Sequence, residues 1–275
     1  MEFIDACRIG DIKKAKEIFE ENKEINIHAN YEYIFRWTCY NNHLEIAKWL
    51  IEISETKKLG IINIHACDEY AFRWACFKGH LEVAKWLIEI SETKKLGIIN
   101  IHACDEYAFR WACYCSHLEV AKWLIEISET TLSGLGVIDI HVDDENVFRS
   151  ACEYGHLEIA KWLIEISEEK KLICLRSNSG ASADCYPRSG LGIINIHVKD
   201  EYAFRWACQN DQLKVAKWLL TLYMNRELKN LNHSLAKEEL ENRKKINIEL
   251  IIYLNKRKFK LLDIHAIAIV WKEYI

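Results

Sequence analysis

KKLGIINIHACDEYAFRWAC occupies residues 57–76, and the same letters return at 94–113. The centre of this stretch, Phe-Arg-Trp-x-Cys, also stands at 35–39 and 204–208, with a variant, Phe-Arg-Ser-Ala-Cys, at 148–152. Successive copies begin 37, 37, 39 and 56 positions apart. A period of this size marks a repeat array, in which each repeat is one supersecondary element too small to bury its own apolar face. The two longest copies part company at one place. Phe77-Lys78-Gly79 follows the first and Tyr114-Cys115-Ser116 the second, before the shared framework resumes at His80 and His117.

Each repeat carries two helical patterns. In DEYAFRWAC, Phe72, Ala75 and Cys76 recur at i, i+3 and i+4, one apolar stripe turned toward a neighbour. Asp68 stands where an N-cap offers a side-chain oxygen to the first helical amides, and Glu69 suits the positive end of the helix. Gly79 ends the pattern, because glycine takes left-handed angles at little cost. In HLEVAKWLIEIS, Leu81, Ala84, Leu87 and Ile88 share one side, with Glu82, Lys85 and Glu89 on the other. ETKKLG then breaks the pattern. Ile62, Ile64 and Ala66 alternate with polar residues, which predicts a short extended finger ending in a turn.

GHLEVAKWLIE resembles the second-helix signature of the ankyrin repeat, and YAFRWAC resembles that family's Thr-Pro-Leu-His-x-Ala-Ala segment. Tyr70 stands for its threonine, Ala71 for its proline, Phe72 for its leucine and Arg73 for its histidine, while NIHACD occupies the family's Val-Asn-Ala finger. The resemblance covers roughly residues 3–222 and implies an all-α ankyrin-repeat solenoid of stacked helix-turn-helix repeats with extended finger loops. The period is about four residues longer than the family's, and the usual proline and hairpin glycine are missing. The variant set resembles the divergent ankyrin-repeat proteins of giant DNA viruses of amoebae, mimivirus-like proteins. That resemblance implies a viral protein in host–virus interaction.

Composition bounds the rest. Half of the 275 residues are apolar and 28% are charged, as in a packed protein rather than a disordered one. A net charge of −4 gives no general reason to expect nucleic acid or a membrane surface as partner. No run of about 18 apolar residues predicts a membrane span. The opening MEFIDACRIGDIKK lacks the apolar core of a signal peptide. Eleven cysteines, an odd number mostly at repeat spacing, fit free thiols in a reducing compartment better than a disulfide framework. An intracellular protein is expected, in the host cytoplasm if viral.

Residues 1–30 read as a degenerate N-terminal capping repeat, more polar because nothing stacks on its outer side. Repeats are expected over 31–67, 68–104, 105–143, 144–199 and 200–223. The fourth holds an insertion near 173–191, where CLRSNSGASADCYPRSG (174–190) predicts a mobile surface loop. Residues 224–275 read as a charged helical segment, with a break near Asn232-His233, and a C-terminal cap. Stacked tryptophan columns are expected, Trp37, Trp74, Trp111 and Trp206 on first helices and Trp49, Trp86, Trp123, Trp162 and Trp218 on second helices. Ser150 interrupts the first column and predicts a weak spot there.

Candidate chemistry meets a plainer reading at every point. Cys39, Cys76, Cys113, Cys152 and Cys208 recur where the family has small apolar residues, and a buried cysteine behaves as a small hydrophobe. His65-x-Cys67 and His102-x-Cys104 have the ligand types of a zinc site, yet the other fingers lose the thiol, and no metal or other cofactor is expected. His43, His80, His117 and His156 have no recurring serine or acid beside them as a triad would need. The resemblance implies a structural hydrogen-bonding role for them. Arg36, Arg73, Arg110, Arg149 and Arg205 offer charge to an acidic partner, but the plainer reading is that they bond to neighbouring carbonyls or pair with the glutamate four residues earlier. KRKFK at 256–260 has the charge of a nuclear-import signal or a phosphate-binding patch, but so short a run is more often a solvated helix face.

The resemblance implies a binding surface built from finger tips and from the residues ending each first helix. Those ending pairs are Tyr40-Asn41, Phe77-Lys78, Tyr114-Cys115, Glu153-Tyr154 and Gln209-Asn210, and the tips are Asn30, Cys67, Cys104, Asp143 and Lys199. These positions vary between repeats while residues 44–76 and 81–113 differ only at Ile46 and Val83. Aromatics recur among them, expected as exposed interface anchors. The function expected is a non-enzymatic, monomeric scaffold that binds another protein. The alternative is a substrate adaptor that docks a host ubiquitin ligase through its C-terminal region.

Overall fold

The structure is a computed structural model that describes residues 2–130, 136–177 and 193–230, with side chains outside 170–177, 200 and 223–230. Among the described residues it has twelve helices and no strand. They are α1 (Glu2–Ile9), α2 (Ile12–Glu21), α3 (Ala29–Tyr40), α4 (Leu44–Thr56), α5 (Ala66–Phe77), α6 (Leu81–Thr93), α7 (Ala103–Tyr114), α8 (Leu118–Glu129), α9 (Val142–Glu153), α10 (Leu157–Ser177), α11 (Val198–Gln209) and α12 (Leu213–Asn230). None of the described helices is long and apolar enough to cross a membrane. The chain divides into two compact units. One holds the residues up to Val147 with Trp162–Ile194, the other Phe148–Lys161 and the described residues from Asn195 onward.

In the first unit α3, α5 and α7 lie side by side, each packed on its own second helix. On α6 the buried face is Val83, Ala84, Trp86, Leu87 and Ile90, while Leu81 and Ile88 are only half-buried. The apolar face thus centres on Ala84 and Leu87, rotated from the Leu81–Ile88 side that the pattern predicts, and Glu82, Lys85 and Glu89 do face water. Phe35, Phe72 and Phe109 on the first helices are fully buried. Each meets a second-helix tryptophan of the following repeat: Phe35–Trp86 at 6.2 Å, Phe72–Trp123 at 6.2 Å and Phe109–Trp162 at 6.4 Å between ring centroids. Trp49 of the first full repeat leans on Phe3 and Phe19 of the capping repeat. The tryptophans therefore do not stack in columns. Each couples to the phenylalanine of the repeat before it, at tilted or edge geometry that the ring quadrupole favours. Burying one such side chain stabilises by roughly 1.5–3 kcal/mol, and the ring pair adds about 0.5–1.5 kcal/mol.

The finger alternates as expected. Ile62 and Ile64 are buried while Ile61 is 74% exposed, but the backbone is irregular and leads straight into a turn. Asn63 makes that turn, its Oδ1 accepting the His65 N–H at 3.0 Å. Asn26, Asn100, Asp139 and Asn195 repeat the bond. The entry to the first helix is unusual. Cys67, Asp68 and Glu69 are all left-handed, with φ of 57°, 55° and 60°, and the same triplet recurs at 30–32, 104–106 and 143–145. A left-handed non-glycine residue costs about 1–2 kcal/mol, so the turn needs compensation. Arg73 supplies part of it, donating from Nε to the Asp68 carbonyl and from Nη2 to the Cys67 carbonyl. Arg36 does the same for Tyr31 and Asn30. For Arg36 and Arg73 the neighbouring carbonyls, and not the glutamate four residues earlier, are the partners used. Asp68 is not the helix cap expected of it. Its carbonyl, as the acceptor for Arg73, carries the contact.

Glu69 supplies the rest. Its carboxylate is buried, holds His65 Nδ1 at 2.8 Å and accepts the N–H of Asn100 in the next repeat at 3.1 Å. His65 Nε2 reaches the Leu96 carbonyl at 3.1 Å, also in the next repeat. The His102–Glu106 pair repeats the clip, with Glu106 accepting Asp139 N–H and His102 Nε2 reaching the Gly136 carbonyl at 3.2 Å. Gly97 sits against the His65 ring with φ of +111°, and an added Cβ would come within 3.0 Å of Nε2.

In the second unit α11 packs on α12, Phe148 meets Trp218 at 6.3 Å, and Arg149 lies over the Tyr202 ring. Helix α10 runs to Ser177, four residues into the segment expected as loop, because breaking residues begin only at Ser177-Asn178. Helix α12 continues unbroken past 223 to Asn230. The rest of the insertion, the break near Asn232, KRKFK and the C-terminal cap lie outside the described residues.

Candidate protein-binding face

Three residues per first helix build one strip. Tyr33, Trp37 and Tyr40 on α3 stand at i, i+4 and i+7, as do Tyr70, Trp74 and Phe77 on α5 and Tyr107, Trp111 and Tyr114 on α7. All nine are half-buried. Their rings run from repeat to repeat without a gap. Trp37 meets Tyr40 at 4.9 Å, Tyr40 meets Trp74 at 5.5 Å, Trp74 meets Phe77 at 4.9 Å, Phe77 meets Trp111 at 5.4 Å and Trp111 meets Tyr114 at 4.7 Å. The first-helix tryptophans are thus joined through Tyr40 and Phe77 instead of touching one another.

Cations border the strip. Arg36 lies 4.7 Å from the Tyr70 centroid and Arg73 lies 4.8 Å from that of Tyr107, each already fixed by its carbonyls. Lys78 Nζ stands 4.8 Å from the Tyr40 centroid and 5.5 Å from that of Phe77. Burial pushes the hydroxyl pKa of Tyr70 and Tyr107 up, so both stay neutral donors at ordinary pH.

The positions expected to vary for binding divide into two kinds. Tyr40, Phe77 and Tyr114 are half-buried ring partners, not free-standing anchors, because the neighbouring tryptophans close over them. Asn41 is half-buried too and donates from Nδ2 to the Trp37 carbonyl, a helix-ending bond. Cys115 is half-buried, and burial pushes its thiol up. Lys78 is exposed, as are the tips Asn30, Cys67, Cys104 and Asp143, and Asp143 lies 3.5 Å from Arg110. In the second unit Tyr154, Lys199, Gln209 and Asn210 are exposed. There Glu153 accepts the Tyr202 hydroxyl at 3.0 Å, and Asn210 donates to the Glu153 carbonyl. Tyr33, Tyr70 and Tyr107 were not among the expected residues. Their i, i+4, i+7 spacing to the tryptophan and the helix-ending ring was the signal that could have found them.

The other candidate chemistry resolves into structure. Cys39, Cys76, Cys113, Cys152 and Cys208 are buried and their thiols pushed up by burial, Cys208 to about 12, which leaves no thiolate for reaction. His65 and His102 spend their ring nitrogens on a glutamate and a carbonyl while Cys67 and Cys104 face solvent. Among the described residues no group of three or more His, Cys, Asp or Glu is placed to hold a metal. His43 Nε2 bonds to the Arg8 carbonyl and His80 Nε2 to the Tyr40 carbonyl, each bridging to the preceding repeat.

Stacked helix pairs with phased fingers are also what a comparison with protein families returns. A family model described as ankyrin repeats, in three copies, matches residues 3–96 and again 74–174. The chain belongs to the ankyrin-repeat family. Its all-α fold is that of an ankyrin-repeat solenoid, and ankyrin repeats are in general protein–protein interaction modules. No curated protein matches the chain significantly.

Proposed function

We propose that this ankyrin-repeat protein is a non-enzymatic, monomeric scaffold that binds another protein along the aromatic strip of α3, α5 and α7. The carrying observation is the unbroken run of half-buried rings from Tyr33 to Tyr114, bordered by the positions at which near-identical repeats differ. Phe35, Phe72 and Phe109 of the core are fully buried, whereas the strip rings keep an open side and the helix-ending one alternates between Tyr and Phe. Half-exposed rings edged by Lys78, Cys115 and variable tips instead give a surface with apolar anchoring and local specificity, the combination typical of interface hot spots. In the fourth repeat the three strip positions are Asn146, Ser150 and Glu153, so the aromatic run breaks at α9, and Tyr202 and Trp206 take up the first two positions again on α11. A net charge of −4 favours a protein over nucleic acid as partner. The viral affiliation and a host-cell site of action rest on the resemblance of the repeat sequence to proteins of giant DNA viruses.

The test uses exposed residues, because truncating half-buried rings would loosen the fold as well as the face. A Lys78→Glu, Cys67→Arg, Cys104→Arg variant should retain native circular dichroism and lose partners that the parent chain captures from cell extract, identified by mass spectrometry. Undiminished capture of the same partners would overturn the proposal.

A further inference from the structure

One tyrosine of this chain already holds a carboxylate. Tyr202 donates its hydroxyl to Glu153 Oε2 at 3.0 Å, while the Arg149 guanidinium lies 4.8 Å from its ring centroid. Tyr70 and Tyr107 stand at the same repeat position beneath the matching arginines, Arg36 at 4.7 Å and Arg73 at 4.8 Å. In Glu153's place, however, the repeats before them have Tyr40 and Phe77, which bring no carboxylate. The Tyr70 and Tyr107 hydroxyls have no hydrogen-bond partner among the described residues, and neither oxygen is buried. Arg36 and Arg73 spend Nε and Nη2 on finger carbonyls, which leaves Nη1 of each without a hydrogen bond among the described residues. Arg110, followed one repeat later by Asn146 instead of a tyrosine, lies 3.5 Å from the Asp143 carboxylate.

We propose that Tyr70 and Tyr107 are seats for carboxylate side chains of the partner, which binds the strip through an acidic segment. This rests on the protein-binding reading of the strip and names the partner's chemistry. Each hydroxyl donates to an aspartate or glutamate of that segment as Tyr202 donates to Glu153, and Nη1 of Arg36 or Arg73 supplies positive charge beside it. Hydrogen bonds to an ionised carboxylate are shorter and stronger than those between neutral groups. The charges along the strip agree with such a segment. After burial, Arg36 acts most on the Tyr70 hydroxyl and Arg73 on that of Tyr107, ahead of any carboxylate, so the exposed Asp68 and Asp105 at the finger exits do not outweigh the arginines there. Lys78, exposed over the Tyr40 ring, adds a third cation that an acidic segment complements.

The test is carbon-13 NMR on the full chain labelled at tyrosine Cζ, the hydroxyl-bearing carbon, with signals assigned from Tyr70→Phe, Tyr107→Phe and Tyr202→Phe. Two probes are titrated at neutral pH and low salt, capped hexaglutamate and capped hexaglutamine. Hexaglutamate should move the Tyr70 and Tyr107 signals and bind about three- to tenfold tighter than hexaglutamine, the size expected of two exposed charged contacts. The double variant Tyr70→Phe, Tyr107→Phe keeps the rings and the arginines and should lose most of that preference. Glu153→Ala should open a third seat, so that hexaglutamate also moves the Tyr202 signal, which stays fixed in the parent chain. Equal affinities for the two peptides, an unchanged preference in the natively folded double variant, or a Tyr202 signal still unmoved in natively folded Glu153→Ala would overturn the seats. Loss of partner capture in the tip variant alongside equal peptide affinities would discard the acidic segment and retain the binding face.

Discussion

The Glu69 carboxylate, only 6% exposed, accepts the backbone N–H of Asn100 at 3.1 Å from the following repeat. With His65 on its other side, it both holds the left-handed finger exit of one repeat and pins the finger of the next. Glu69→Ala should therefore cost about 2–3 kcal/mol, the price of leaving a buried donor and ring nitrogen unpartnered. Glu69→Gln, which keeps an acceptor for Asn100, should cost less. Urea unfolding checks both, and a Glu69→Ala variant as stable as the parent would dismiss the clip as a stabilising feature.

Two histidines, His80 and His102, should give this stability a pH optimum. His102 faces two acceptors, the Glu106 carboxylate and the Gly136 carbonyl, and its pKa is raised, chiefly by the hydrogen bond to Glu106. Its contribution is full below the unfolded value of about 6.5 and is lost as pH rises through the higher folded value. His80 behaves oppositely. Burial lowers its pKa, with His117, Lys78 and His43 adding repulsion against the Tyr40 carbonyl bond, so its contribution is full above about 6.5 and is lost as pH falls through the folded value. His102→Gln should flatten the alkaline limb of the urea-midpoint profile and leave the acid limb intact. A flattened acid limb would contradict the assignment.

The helix-ending turn offers a pair of opposite substitutions. Gly79 has φ of +75°, and an added Cβ would lie 2.5 Å from His117 Nδ1. Gly79→Ala should destabilise by about 1–3 kcal/mol through backbone strain and displacement of the ring. Ser116 occupies the matching position at φ of 63° without glycine's freedom. Ser116→Gly should stabilise by about 0.5–1 kcal/mol. Thermal melts that order the two variants the other way would refute the turn geometry.

Much of this was readable before any coordinates, and the reason is periodic. Five copies of one pattern fix the helix pairs, and Phe72, Ala75 and Cys76 are buried as their spacing requires. What sequence patterns hide is which neighbour a side chain meets. Trp86 finds Phe35 of the preceding repeat instead of Trp49, because facing helices are offset by one repeat. The three left-handed residues at Cys67, Asp68 and Glu69 carry no glycine to announce them, since contacts from Arg73, His65 and Asn100 hold the turn. At the binding face, the variable ends were legible but their burial was not. Phe77 looks like a free anchor in sequence, yet it is half covered by Trp74 and Trp111. Tyr70 was passed over because it does not vary where its neighbours do.

The core coupling should be steep. Phe72 is fully buried against Trp123, so Phe72→Ala should cost about 3–5 kcal/mol. A loss under about 1 kcal/mol in urea unfolding would show that the cross-repeat ring pairs do not carry the stack.

The location of the binding face is tested most directly by photo-crosslinking with benzoylphenylalanine placed singly at Cys67, Cys104 and Glu89. All three are exposed, the first two beside the aromatic strip and the third on helix α6. Partner adducts should form from positions 67 and 104 and not from 89. Adducts from 89 alone, or in equal yield from all three, would contradict binding along α3, α5 and α7.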